Sequence, residues 1–170
     1  MEMDKPKIVG ALILIAYASI ASSITQSKAI VLIADVISGA AVIGIAVLMY
    51  PLFKDLLARP YLLLKSIEGG FMITAGILFL FSTKAHDAVY FVHTYVFIVS
   101  AFIFYYLLYK EWLVPRFIPV WGMIGVILLL AANAMEILGN TMLLISIVGY
   151  APIILNEVFM ATWFILKGWR

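Results

Sequence analysis

Six long apolar runs alternate with short polar breaks along the chain, at about 6–24, 29–51, 61–82, 86–109, 116–138 and 142–166. Each holds roughly 20 residues, the length a helix needs to cross a hydrocarbon core of about 30 Å at 1.5 Å per residue. The breaks are short, and each carries a charge, a proline, a glycine or an asparagine, as in "SSITQSK" and "STKAHDA". Such residues end helices and make turns. The pattern predicts an all-α polytopic membrane protein, with six transmembrane helices in one compact bundle and residues 1–170 as a single domain. The first run follows a few polar residues and has no small-residue cleavage pattern. It is expected to stay as a helix rather than be removed as a signal peptide.

Composition agrees. Hydrophobic residues make up 66% of the chain and charged residues 12%, against roughly 45–50% and 25% in soluble domains. A soluble protein of this size could not hide so much apolar surface. The expected location is the cell membrane, crossed several times, with the lipid bilayer as the main partner. A net charge of +2 gives no footprint for nucleic acid. There are no cysteines, which excludes disulfides and thiolate chemistry.

Charge placement predicts orientation. With the N-terminus inside, Lys5, Lys7, Lys54, Arg59, Lys65, Lys110, Arg116, Lys167 and Arg170 fall on the cytoplasmic side, and Lys28 and Lys84 outside. Under the positive-inside rule both termini are cytoplasmic. Pro51, Pro60 and Pro115 lie in or beside inner turns. Tyr105, Tyr106, Tyr109, Trp112, Trp163 and Trp169 fall near the inner interface, where aromatic rings anchor.

The polar residues inside the runs are the candidates for chemistry. Glu68 lies roughly 10–12 Å in from the cytoplasmic end of the third run, and Glu157 about 13 Å in on the sixth. The two carboxyls therefore share a layer. Lys65 precedes Glu68 by one turn on the same face, and Asn156 adjoins Glu157. A charge at such depth costs about 2.5–3.5 kcal/mol, so at least one carboxyl is expected to be protonated or paired, with Lys65 as partner. Pro152 and Gly149 predict a kink in the last helix. A cavity open toward the cytoplasm, lined by Lys65, Glu68, Asn156 and Glu157, is the expected site. The alternative is an interhelical ion pair that only sets register.

A second polar layer lies toward the outside: Asp35, His93, Asn133 and Glu136, with His86, Asp87 and Asn140 above it. His86, Tyr90 and His93 follow an i, i+4, i+7 pattern and share a helix face. The two histidines are about 10 Å apart along the axis, too far to share one metal ion. A set of His93, Asp35 and Glu136 could hold one, but a histidine bonded to a neighbouring carboxylate is the preferred reading, and no metal is expected. Nothing in the sequence names a cofactor. Ser19, Ser22 and Ser23, Ala40 and Gly44, and the Gly69–Gly70 pair are expected to let helices approach closely. No phosphate-cradling loop, nucleophile elbow or dinucleotide fingerprint is present.

Three stretches carry a resemblance: "YPLFKDLLARPYLLLKSIEGG", "YYLLYKEWLVPRFIPVWGMIG" and "GYAPIILNEVFMATWFILKGW". Together they resemble a family of uncharacterised bacterial and archaeal integral membrane proteins, the domain of unknown function DUF4386. Lys65 and Glu68 match its basic residue three before a glutamate, with Lys where Arg is usual. Leu113, Val114, Pro115, Arg116, Trp121 and Gly122 match its turn before a Trp-Gly helix, and Glu157, Trp163, Lys167 and Gly168 its final helix. The short outer turn "STKAHDA" departs from it. The resemblance implies a six-helix membrane protein and supports Glu68 and Glu157; it implies no activity.

The resulting expectation is binding or transport of a small or amphiphilic molecule, with a proton link through Glu157. An accessory subunit without a ligand and an intramembrane lipid-modifying enzyme built on Asp35, His93 and Glu136 are the alternatives. At 18.9 kDa the bundle is small for a complete transporter, so a homodimer is the oligomeric state to test for.

Overall fold

The computed structural model describes residues 5–139 and 142–169. Asn140 and Arg170, which the sequence places at the outer rim and in the cytoplasmic basic set, lie outside the described residues, as does the side chain of Ser22. The elements are α1 (Lys5–Ala16), a 3₁₀ turn η1 (Tyr17–Ile20), α2 (Ala21–Ile24), α3 (Lys28–Met49), η2 (Tyr50–Leu52), α4 (Ala58–Phe79), α5 (Thr83–Lys110), α6 (Phe117–Ile137) and α7 (Leu143–Leu166). The described residues contain no strand. Five helices, α3 to α7, are long and apolar enough to cross a membrane.

Local chemistry explains the ends. Pro60 sits in the first turn of α4, where an N–H has no helical acceptor, so the helix starts at Ala58 and not after the proline. The Ser82 hydroxyl accepts from the Ala85 amide at 3.3 Å and caps α5, moving its start before His86. Lys28 Nζ donates to the Leu80 carbonyl at 2.7 Å, satisfying an end of α4 from the neighbouring helix. The first run departs most from expectation: its helix tightens into 3₁₀ at Tyr17–Ile20. The last helix runs unbroken through Pro152.

The helices pack as a closed ring. Each of α3 to α7 packs on its neighbours in sequence, and α1 closes the circle by packing on both α3 and α7. A ring of six has no helix at its centre, so its lumen must be filled by side chains or left as a cavity. Small residues set the closest approaches. A Cβ on Gly39 would meet the Gly69 carbonyl at 2.4 Å, and one on Gly10 would meet the Ala161 carbonyl at 2.6 Å. Gly69 thus packs as expected, whereas Gly70 faces open space, Ala40 is exposed, and Gly39 takes the role assigned to Ala40. Gly149 packs on Ala132.

The first and last described residues lie at one end of the ring, where a Cβ on Gly168 would be 3.5 Å from Pro6. That end is packed solid. Met49, Phe53, Tyr61, Phe104, Leu108, Val114, Ile118 and Phe164 are all buried there, with Tyr61 stacked on Phe104 at 5.4 Å. On the rim, Arg116 lies over the Trp112 ring at 3.5 Å, and Lys110 pairs with Asp55.

Candidate functional site

Away from that packed end the lumen opens into a cavity of about 300 Å³. Polar groups enter it from three sides. From α4, Lys65 and Glu68 lie one turn apart, both buried, with Lys65 Nζ 2.8 Å from Glu68 Oε1. The other carboxylate oxygen accepts from the Ser100 hydroxyl on α5. From α7, Glu157 Oε2 accepts from the Tyr17 hydroxyl at 2.7 Å. From α5, His93 adds an imidazole, and Tyr90 and Thr94 add hydroxyls. The remaining wall is mostly apolar, including Val42, Ile45, Met72, Phe104, Leu129 and Met160.

The two acids therefore share one pocket, yet their helices do not pack on each other: α4 and α7 sit across the ring. The expected pocket forms by a different route from direct packing. Lys65, Glu68 and Glu157 all line it. Asn156 does not. Successive helical residues point about 100° apart, and Asn156 is turned onto α6, where its Nδ2 donates to the Ile118 carbonyl at 2.8 Å.

The expected opening toward the termini is also corrected, because the aromatic layer described above closes that end. The cavity's exposed lining residues are Ile20 on η1 and Tyr150 and Ile154 on α7. Here α1 and α7 part. Below, α1 packs on α7; above, η1 and α2 follow α3. The gap this leaves is lateral.

The outer layer separates into two groups. Asp35 is fully buried over Gly76, where a Cβ would be 2.8 Å from its own. It accepts from the Tyr90 hydroxyl at 2.7 Å. Its histidine neighbour is His86, with Nε2 at 3.3 Å, whose Nδ1 lies 2.9 Å from Asp87. His93 sits lower, edge-on to Tyr90 at 5.3 Å and stacked on Phe97 at 6.4 Å. The shared face of His86, Tyr90 and His93 is thus as the spacing predicts, but its two histidines serve different sites. Asn133 donates to the Leu129 carbonyl at 2.8 Å and, with exposed Glu136, lines a second cleft of about 370 Å³. Among the described residues no hydrogen bond or ion pair joins Asp35, His93 and Glu136 to one another; Tyr90 lies between Asp35 and His93. Among the described residues no cluster of three His, Asp or Glu could hold a metal ion.

Sequence reasoning missed Tyr17 and Ser100. Each is an isolated hydroxyl inside an apolar run, and that isolation was the available signal. What it could not supply was the partner.

The model of the family described as Domain of unknown function (DUF4386) matches residues 81–168. The chain belongs to that family. The DUF4386 match spans α5 to α7, so His93, Ser100 and Glu157 fall inside it while Tyr17, Lys65 and Glu68 fall before it. No curated protein and no solved structure matches the chain.

Proposed function

We propose that the chain is a six-span protein of the cell membrane, both termini cytoplasmic, that binds a small or amphiphilic molecule in its intramembrane cavity, as a carrier or transporter would. One observation carries this reading: the ionisable side chains Tyr17, Lys65, Glu68, His93 and Glu157, from four elements, converge on a single cavity whose wall is otherwise mostly apolar. Ionisable groups are expensive in a membrane interior and mark ligand or ion sites when they face a cavity. Pockets for small molecules have this makeup, apolar walls with a few convergent polar groups, and start at about 300 Å³. α1, η1 and α2 together extend roughly 30 Å, enough for the sixth span.

A second reading has its own support. Lys65–Glu68–Ser100 and Asp35–Tyr90 each tie two helices together, as an accessory subunit without a ligand would need. Native mass spectrometry of the full chain, extracted in mild detergent, separates the two. The binding reading expects a co-purified molecule on the wild type that is lost in Glu157→Gln. A wild-type chain without any such adduct, and a variant indistinguishable from it, would leave the structural reading standing.

A further inference from the structure

We infer that the molecule bound is a lipophilic monocation, and that it reaches the cavity sideways from the lipid, between η1 and α7. This rests on the binding role proposed above and adds the chemical class and the route.

The class follows from a charge inventory of the wall. The residues lining the cavity bring two carboxyl groups, Glu68 and Glu157, one ammonium, Lys65, and the His93 imidazole. Lys65 is committed: its nitrogen lies 2.8 Å from Glu68 and 5.1 Å from the Phe97 ring centroid. An anionic ligand would have to strip that ammonium from a buried partner. Glu157, by contrast, has a neutral phenol as its hydrogen-bond partner and no ion pair among the described residues. A buried carboxyl without its own counter-charge is neutralised by a proton or by a cation, and a cation that takes the proton's place gains most where water is scarce. Aromatic rings, those of Tyr17, Tyr90, Phe97 and Phe104, also line the cavity, and ring faces attract cations further. The apolar remainder of the wall suits a hydrocarbon tail.

The route follows from exposure. Of the lining residues, the exposed ones are Ile20, Tyr150 and Ile154. The two aliphatic ones border the lateral gap, a doorway suited to a molecule already dissolved in acyl chains, while Tyr150 turns to Asn133 on α6 and the second cleft. Glu157 lies one turn beyond Ile154 on α7, so a cation passing the gap meets its carboxyl early.

The test uses the full chain in phosphatidylcholine nanodiscs and three probes of matched tail: octyltrimethylammonium, octyl sulfate and octanol. Binding is measured by calorimetry with empty nanodiscs subtracted. The cation is expected to bind at least about tenfold more tightly than octanol, with no specific binding of the sulfate, and Glu157→Gln should erase that preference. Glu157→Asp keeps the charge and should keep the preference, which decides the matter if the glutamine variant fails to fold. Ile154→Trp, which narrows the gap, should slow association of the cation several-fold. Preference for octanol or the sulfate over the cation, or an undiminished cation preference in Glu157→Gln, overturns the charge assignment while leaving the cavity a binding site. Unchanged association in Ile154→Trp overturns the route. Binding of none of the three probes overturns this inference together with the binding role.

Discussion

Removing the Lys65 ammonium tests whether this charge is committed, on which the reading of the site depends. In Lys65→Met a flexible apolar chain of similar length replaces it, so little volume is lost. Glu68, 2% exposed, keeps the Ser100 hydroxyl but loses its ion-pair partner. Removing one member of a buried pair costs about 3–5 kcal/mol. Because Ser100 still satisfies one oxygen, the expected loss is at the low end, about 3 kcal/mol. Replacing both residues, Lys65→Met with Glu68→Met, removes the desolvation cost with the attraction and should be far milder than the sum of the single changes. The coupling in the double-mutant cycle should be about 2–3 kcal/mol. The assay is reversible unfolding in mixed micelles on titration with sodium dodecyl sulfate, followed by tryptophan fluorescence. A Lys65→Met loss below about 0.5 kcal/mol, with additive single changes, would refute the reasoning. Lys65 would then be an unengaged cation, and the cavity would suit an anion as well.

Two further predictions address the scaffold. Gly39→Ala should destabilise by about 1–3 kcal/mol, because its methyl meets the Gly69 carbonyl and neither backbone can yield without parting α3 from α4; Gly70→Ala, with open space at its Cβ, should be neutral or stabilising, and equal effects in the same unfolding assay would exclude this crossing. In the turn before α4, the hydrogen bond from Lys110, with one from the Leu57 amide, holds the Asp55 carboxyl below its usual range. A folded pKa below the unfolded one means that stability from this group is complete above the unfolded value, near about 4, and is lost as pH falls through the lower folded value. Asp55→Asn should therefore flatten the acid side of the stability profile and lower the plateau above it; a steeper acid side in the variant would contradict the sign.

Apolar periodicity and turn chemistry were enough to locate the helices, because the length an apolar run must have and the residues that end it are properties of the chain and its solvent. The boundaries of α3 to α7 fall within about three residues of those read from the runs, and Pro60 and Ser82 account for the differences at the starts of α4 and α5. Depth was legible as well: arithmetic along the axis put Glu68 and Glu157 in one layer, and both line one cavity. Azimuth was not. Which face of a helix meets which neighbour depends on the order of the ring, and that order is closed by α1 meeting α7, a contact between opposite ends of the sequence. For that reason Asn156 was assigned to the cavity on adjacency alone, Asp35 was grouped with His93 when its neighbour is His86, and Tyr17 went unpaired with Glu157, 140 residues away. The tightening into 3₁₀ at Tyr17 likewise has no local signature in residues that read as continuous helix. The sequence by itself determined that the chain is a set of long apolar helices and which of its acids share a level along them. The tertiary structure decided which charges are spent on one another, giving Glu157 the Tyr17 phenol as its hydrogen-bond partner among the described residues, because pairing is set by helix neighbours that no local pattern encodes.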